Sequence, residues 1–152
     1  MKIEVVAISK PERDCYSQLC DRFKKISSRY ASIEIVELFN SKVTKAQEAG
    51  AEHSKKIYSQ LFEPWMSGGY RVALDPSGKS LDSHSFARLL QDRARVSFFI
   101  GGAYGHSDKF LKECDAVISL SPLTMSHKVA KVVICEQIYR ALTILNNHPY
   151  HK

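Results

Sequence analysis

No stretch of this chain approaches the roughly 20 consecutive apolar residues that a membrane-spanning helix needs. Its opening apolar run (Ile3, Val5, Val6, Ala7, Ile8) is too short for a secretory leader and is followed by no small-residue cleavage site. The expectation is a soluble, cytoplasmic protein with no membrane partner. Glycine-rich phosphate cradles are missing too: no GxGxxG follows the first apolar run and no GxxxxGK[ST] occurs anywhere. The four cysteines (Cys15, Cys20, Cys114, Cys135) form no CxxC or other zinc-like spacing. Lying in or beside apolar segments, they read as buried reduced thiols, and no metal is expected. Repeats, linkers and low-complexity tracts are absent.

Negative charge is also in short supply. Lys and Arg number 22 against 16 Asp and Glu, a net charge of +6 and a pI near 9.2. A basic surface draws in polyanions, and RNA, DNA and acidic membranes all fit that description. At 152 residues and 44% hydrophobic, the chain can bury one core, so a single domain spanning 1–152 is expected.

Apolar runs and amphipathic segments alternate along the chain. Lys2–Ser9 reads as a strand, with Pro11 placed where a helix begins. Tyr16, Leu19, Cys20 and Phe23 follow at helical spacing. Ile33–Phe39 reads as a second strand. Thr44–Leu61 reads as one long polar helix with an inner face of Ala46, Gly50, His53, Ile57 and Leu61, although an interior Gly50 costs about 1 kcal/mol relative to alanine. Tyr70–Leu74 is a third strand, ended by the turn Asp75-Pro76-Ser77-Gly78.

Ser83 is positioned to cap a helix that turns Phe86, Leu89 and Leu90 inward. Val96–Ile100 is a continuous apolar run, the pattern of a strand covered on both faces. A short helix around Ser107–Cys114, a strand at Ala116–Leu120 and a final helix from His127 to Asn146 complete the chain. Ile134, Ile138, Ala141, Leu142 and Leu145 line one side of that last helix. Strands alternating with helices over short connections predict an α/β domain with a parallel sheet covered on both faces.

Ligands of such sheets bind beyond the carboxyl ends of the strands. Those ends are Leu74-Asp75, Gly101-Gly102 and Ser121-Pro122-Leu123-Thr124, where small residues let backbone groups approach a ligand. Taken singly, the glycine pair equally fits a tight turn, and Ser121–Thr124 a plain loop before a helix. His127 equally fits a helix residue with no task.

Taken together, they carry a resemblance. Phe98-Phe99-Ile100-Gly101-Gly102-Ala103-Tyr104-Gly105, Leu120-Ser121-Pro122-Leu123-Thr124-Met125-Ser126-His127, Glu136-Gln137-Ile138-Tyr139-Arg140-Ala141 and the closing His148-Pro149-Tyr150-His151-Lys152 resemble the signatures of the large-subunit ribosomal RNA methyltransferase H family. The resemblance runs from the first strand to the last residue, with most of its specificity in the C-terminal half. It implies a SPOUT fold whose C-terminal segment forms a deep trefoil knot, a rare exception to ordinary chain topology. It also implies S-adenosyl-L-methionine as cofactor, bound by a site drawn mainly from residues 70–152. The implied reaction is N3-methylation of a pseudouridine in helix 69 of 23S ribosomal RNA, by a homodimer acting on the ribosome.

By position, the resemblance assigns the cofactor to Leu74, Gly102, Ser121, Pro122, Leu123, Thr124, Met125 and Ser126, with Leu74, Leu123 and Met125 sandwiching the adenine. Tyr104 falls at a position that varies in the family. Lys131 stands where an arginine is common, which puts an RNA contact there in doubt.

Methyl transfer from a sulfonium needs alignment above all, and the acceptor nitrogen must lose a proton. Four residues are candidates for this chemistry. Arg140 could hold an anionic ring or a phosphate, or simply complement its helix dipole. Tyr150 could stack on a splayed base, or pin the terminus to the core. His151 could accept the proton or touch the RNA backbone, and His127 could serve catalysis or capping. Two histidines at the terminus, His148 and His151, make a poor metal site.

The basic residues Arg22, Lys24, Lys25, Arg29, Lys42, Lys45, Lys55 and Lys56 could dock phosphates or form a solvated face. Two other readings compete: a flavin or nicotinamide enzyme, opposed by the missing glycine fingerprint, and a non-catalytic RNA-binding or ribosome-assembly factor, opposed by the intact cofactor loop.

Overall fold

In the computed structural model, which describes residues 1–152, the apolar runs become strands β1 (Lys2–Ala7), β2 (Ser32–Glu37), β3 (Tyr70–Ser80), β4 (Arg95–Ile100) and β5 (Ala116–Ser119). The amphipathic segments become helices α1 (Cys15–Ser27), α2 (Ser41–Ala49), α3 (Ala51–Phe62), α4 (Ser83–Leu90), α5 (Asp108–Glu113) and α6 (His127–Leu145). One sheet forms, in the order β2-β1-β4-β3-β5, and every pairing is parallel.

Side chains alternate across the sheet, so each central strand feeds two cores. Ile3, Val5 and Ala7 of β1 join Val96, Phe98 and Ile100 of β4 on one face, against Cys20 of α1, Phe86 and Leu90 of α4, and Ile134, Ile138 and Leu142 of α6. Val6 and Ile8 with Ala73 and Phe99 face the other way, onto Val43, Tyr58, Phe62 and Phe110 of α2, α3 and α5. Full burial of one such side chain is worth about 1.5–3 kcal/mol. Helix α6 lies between α1 and α4 and reaches β1 and β4, and its predicted stripe is buried as expected except for Leu145, which is half-buried.

Several boundaries differ from the sequence reading, each for a local reason. Pro11 does not open the first helix. Asp14 does, accepting from the Ser17 backbone at 3.0 Å while Ser17 returns the bond, a reciprocal capping box that outcompetes an earlier start. The long second helix is two helices, because Gly50 sits at φ +113°, a backbone state open mainly to glycine. That break resets the inward face to Val43 and Ala46, then Ser54, Tyr58 and Phe62, and leaves His53 exposed.

Asp82, not Ser83, caps α4, accepting from Ser85 at 2.6 Å. Asp75–Gly78 is not a strand end but a bulge inside β3. Ile118 pairs with Leu74 before it and with Lys79 after it. A Cβ on Gly78 would lie 2.6 Å from the Ile118 backbone, so only glycine fits where the two strands meet. The cysteines are all free, but Cys15 is exposed and Cys114 half-buried, so only Cys20 and Cys135 match the expectation of buried thiols.

At the amino end of the sheet lies a saturated ionic cluster. The Glu4 carboxylate, 1% exposed, accepts from Arg95 at 2.8 Å, from Ser97 at 2.9 Å and from Lys2 at 2.8 Å. Burial pushes its pKa up, but the bonds from Arg95, Lys2 and Ser97 outweigh that and hold it below the usual carboxylate range.

Candidate active site

The opposite, carboxyl end of the sheet is open. Leu74, the last residue of β3 before its bulge, pairs with Ile100 at the end of β4. Ser119 ends β5, and the bulge and the loops that follow border a cleft of about 350 Å³. Its walls include Leu74, Gly101, Gly102, Ser121, Leu123, Thr124, Met125, Ser126 and His127. Every sequence-assigned cofactor residue except Pro122 lies on this lining; Pro122 sits exposed within the same loop. The volume falls in the usual range of small-molecule sites.

Each wall is shaped by local chemistry. Gly105 donates to the Gly102 carbonyl at 3.0 Å, so the glycine segment is a tight turn as well as a cleft wall. A Cβ on Gly101 would lie 2.9 Å from Gly105, and one on Gly102 would lie 2.6 Å from the Tyr58 ring. The second glycine is therefore required by a protein neighbour from behind. Ser121 folds the next loop, its Oγ accepting from the Leu123 backbone at 3.0 Å and its carbonyl from Ser119 Oγ at 2.9 Å. Ser126 caps α6 by accepting from Val129 at 3.3 Å, which leaves His127 free of that task. Leu123 is 77% exposed, a large apolar side chain on a cleft rim that a ligand would cover.

His127 stands at the mouth of this cleft. Burial, then the neighbouring charges of Lys131 and Lys128, lower its pKa, so it is a neutral base at physiological pH. Lys128 is clasped by Glu12 and Asp14. Lys131 is buried, ion-paired to Glu37 and bonded to Ser9, and so is not presented to a ligand. These pairs line a second, larger and more polar cleft of about 500 Å³ between α1 and the start of α6. Its paired charges largely satisfy one another, unlike the open backbone of the first.

The other three candidates gather elsewhere. Asn147, at φ +52°, turns the chain back after α6, with His148 donating to the Thr143 carbonyl at 2.9 Å. The tail then folds along the helix. Tyr150 packs on Tyr139 with ring centroids 4.7 Å apart and donates to Glu136 at 3.0 Å. Glu136 also accepts from Arg140 at 2.6 and 3.1 Å. Arg140 lies over the Tyr150 ring at 4.8 Å and 3.4 Å from Nδ1 of His151, whose ring meets His84 at 4.9 Å. Glu136 raises the Arg140 pKa further. Burial, then the bond to Glu136, raises that of Tyr150.

Arg140 is thirteen residues beyond His127 on one helix, which at 1.5 Å per residue is about 20 Å. Within one chain, the Arg140–Tyr150–His151 cluster and the cleft with His127 are two separate places.

Four contributors were missed in the sequence reading. Tyr58 backs the cleft from α3 behind Gly102, while Phe62 packs on Phe99 and His106. Their spacing of four from Ser54 was a signal obscured by running the helix through Gly50. His106 lies buried behind the glycine turn. Glu136 was seen only as part of a motif, and nothing local marks it as the hub of the tail. Of the basic residues proposed to dock phosphates, all are exposed except Lys55, which is half-buried. No group of three or more His, Cys, Asp or Glu converges to hold a metal ion, and no helix is long and apolar enough to cross a membrane.

Residues 1–151 match the family described as "Predicted SPOUT methyltransferase". The chain is 50% identical to ribosomal RNA large subunit methyltransferase H of Wolinella succinogenes, with both chains covered in full. It is 51% identical to the protein of that name from Aliarcobacter butzleri, again over the full length of both, and 42% identical to that of Campylobacter jejuni serotype O:6. Its fold is similar to the crystal structure of a protein assigned as an RNA methyltransferase from Bacillus anthracis. That match has a TM-score of 0.51 at 15% identity and covers 97% of this chain and 96% of the other.

Proposed function

Since the chain belongs to the SPOUT methyltransferase family and is an rRNA methyltransferase, we propose that it uses S-adenosyl-L-methionine to methylate N3 of a pseudouridine in helix 69 of 23S rRNA. It acts as a cytoplasmic homodimer on the assembled ribosome, with its C-terminal segment knotted through the cofactor loops. The observation that carries this reading is the open cleft at the strand ends, whose lining includes every position but Pro122 that the resemblance assigns to the cofactor. Family membership removes the flavin and nicotinamide alternative.

The residues present suit that cofactor. Leu74, Leu123 and Met125 offer apolar surface for an adenine, and the Gly101–Gly105 and Ser121–Ser126 backbones offer hydrogen-bonding groups. When bound, it supplies a methyl group already activated on a sulfonium. The chain then has to align the acceptor in line, exclude water and remove the N3 proton as the N–CH₃ bond forms and the S–CH₃ bond breaks. His127, neutral and at the mouth, is placed to accept that proton.

Arg140, oriented by Glu136, suits an anionic ring or a phosphate, and Tyr150 suits stacking on a base. The distance of about 20 Å from His127 to Arg140 along α6 supports a composite site, in which the tail of one protomer serves the cleft of its partner. His151 then contacts the RNA or shares in proton transfer.

Mass spectrometry of 23S rRNA nucleosides from cells lacking the gene tests the reaction. Loss of one methylated pseudouridine, restored by the purified protein with S-adenosyl-L-methionine, is expected; an unchanged profile contradicts it. The pH profile tests His127. Because its pKa is lowered, kcat/KM should hold down to pH values below the ordinary histidine range and then fall. His127→Gln should remove that acid limb.

A further inference from the structure

One titratable group at the cleft is used by none of this chemistry. His106 is 5% exposed and lies directly behind the Gly101–Gly105 turn. Its Nε2 is 3.3 Å from the Phe99 carbonyl at the end of β4. Its ring stacks on Phe110 at 5.0 Å and 14° and meets Phe62 at 5.8 Å. A histidine buried against two phenylalanine rings is an expensive choice for a space filler, because leucine or phenylalanine would fill it without desolvating two ring nitrogens. The ring does what neither could: it donates to a strand-end carbonyl while bracing the turn that forms one wall of the cleft.

We propose that His106 is a positioning residue, holding the Gly101–Gly105 turn at the height above β4 that lets the cleft accept its ligand. This rests on the cleft being the S-adenosyl-L-methionine site. Around the ring, α3 presents Phe62, β4 the Phe99 carbonyl and α5 Phe110, none of them charged, while Asp108 and Lys109 of α5 are exposed. Only β3 presents charge, through the Asp75 carboxylate beside the Leu74 carbonyl. Burial lowers the His106 pKa, and Asp75 and the Phe99 and Leu74 carbonyls oppose that less strongly.

The ring is therefore neutral when the enzyme works. Protonation would put a cation behind a wall that faces a sulfonium, and like charges in a poorly solvated site repel strongly. S-adenosylhomocysteine, the product, carries no sulfonium and would not feel that charge.

Calorimetric titration of both ligands, without RNA, separates the possibilities. In the native protein the ratio of Kd for S-adenosylmethionine to Kd for S-adenosylhomocysteine should stay level through the ordinary histidine range and rise several-fold only at more acidic pH, because the ring's pKa is lowered. In His106→Gln, whose amide can reach the same carbonyl, the ratio should stay flat and affinity at pH 7.5 should stay within about threefold of native, while His106→Phe should bind both ligands roughly tenfold more weakly. Native affinity in His106→Phe, or a ratio equally pH-dependent in native protein and His106→Gln, overturns the proposal. Should His106→Phe not fold, the His106→Gln pH series decides alone. Failure of the native protein to bind either ligand instead refutes the reading of the cleft itself.

Discussion

The two ends of the sheet solve opposite problems with the same strands. At the amino end, Glu4 is buried with its oxygens satisfied by Lys2, Arg95 and Ser97, so nothing is left to bind a ligand. At the carboxyl end, β3 bulges, β4 runs into glycines and β5 into Ser121–Ser126, leaving backbone groups and an exposed Leu123 around an open cleft. Polar groups that satisfy one another stabilise the fold, and groups left open define where chemistry occurs. Substitutions at the two ends should therefore fail in different ways.

The largest effect expected is at neither end of the sheet but in the tail, which the proposed composite site brings to the cleft of a partner protomer. Deleting residues 148–152 should lower methylation roughly 100-fold or more, the scale of lost alignment. Affinity for S-adenosylmethionine should stay within about twofold, and a parallel loss of cofactor binding would show that the tail holds the cofactor and does not act on the acceptor alone. Next, Glu4→Ala should cost about 3 kcal/mol, near the low end for a broken buried ion pair because Lys2 and Arg95 keep contact with water.

For a chain of this size that is a fall in Tm of about 10 °C, with unchanged cofactor affinity in the folded protein. Folding lowers the Glu4 pKa, so its stabilisation is complete above the ordinary value of 4.5 and disappears as pH falls through the lowered one. In Glu4→Ala, acid denaturation should lose that component.

Gly102→Ala sharpens the contrast, because its added Cβ meets Tyr58 from behind. About 1–3 kcal/mol of overpacking is expected, together with roughly tenfold weaker cofactor binding as the turn shifts into the cleft. The smallest effect on the fold should come from Leu123→Ala. Stability should change by less than about 0.5 kcal/mol, while S-adenosylmethionine binding weakens several-fold. Loss of stability without loss of affinity would remove Leu123 from the site.

Much of this was legible in the chain. Strands covered on both faces announce themselves as continuous apolar runs, as Val96–Ile100 does, and the period of α6 is visible from Ile134 to Leu142. The cleft was legible because parallel strands put their ends at one edge, and the small residues after Ile100 and Leu120 mark it. What was hidden depends on contacts between distant segments. The bulge at Asp75–Gly78 exists because Ile118 pairs on both sides of it, and the need for glycine at 102 comes from Tyr58, 44 positions earlier. Gly50 was visible as a cost, but only its φ reveals a break. That Tyr150 pins the terminus was one of its two readings, and it does pack on Tyr139. Where the tail lies was not legible, since it follows from Asn147 reversing the chain and Glu136 receiving Tyr150.

Mixing two inactive proteins tests the division of labour most directly. One carries a substitution in the cleft that abolishes cofactor binding and keeps its tail; the other lacks residues 148–152 and keeps its cleft. If tail and cleft act across a two-fold dimer, random exchange of subunits restores about a quarter of native methylation, because half the dimers then carry one complete site. A mixture as inactive as its components, with subunit exchange demonstrated, contradicts the account.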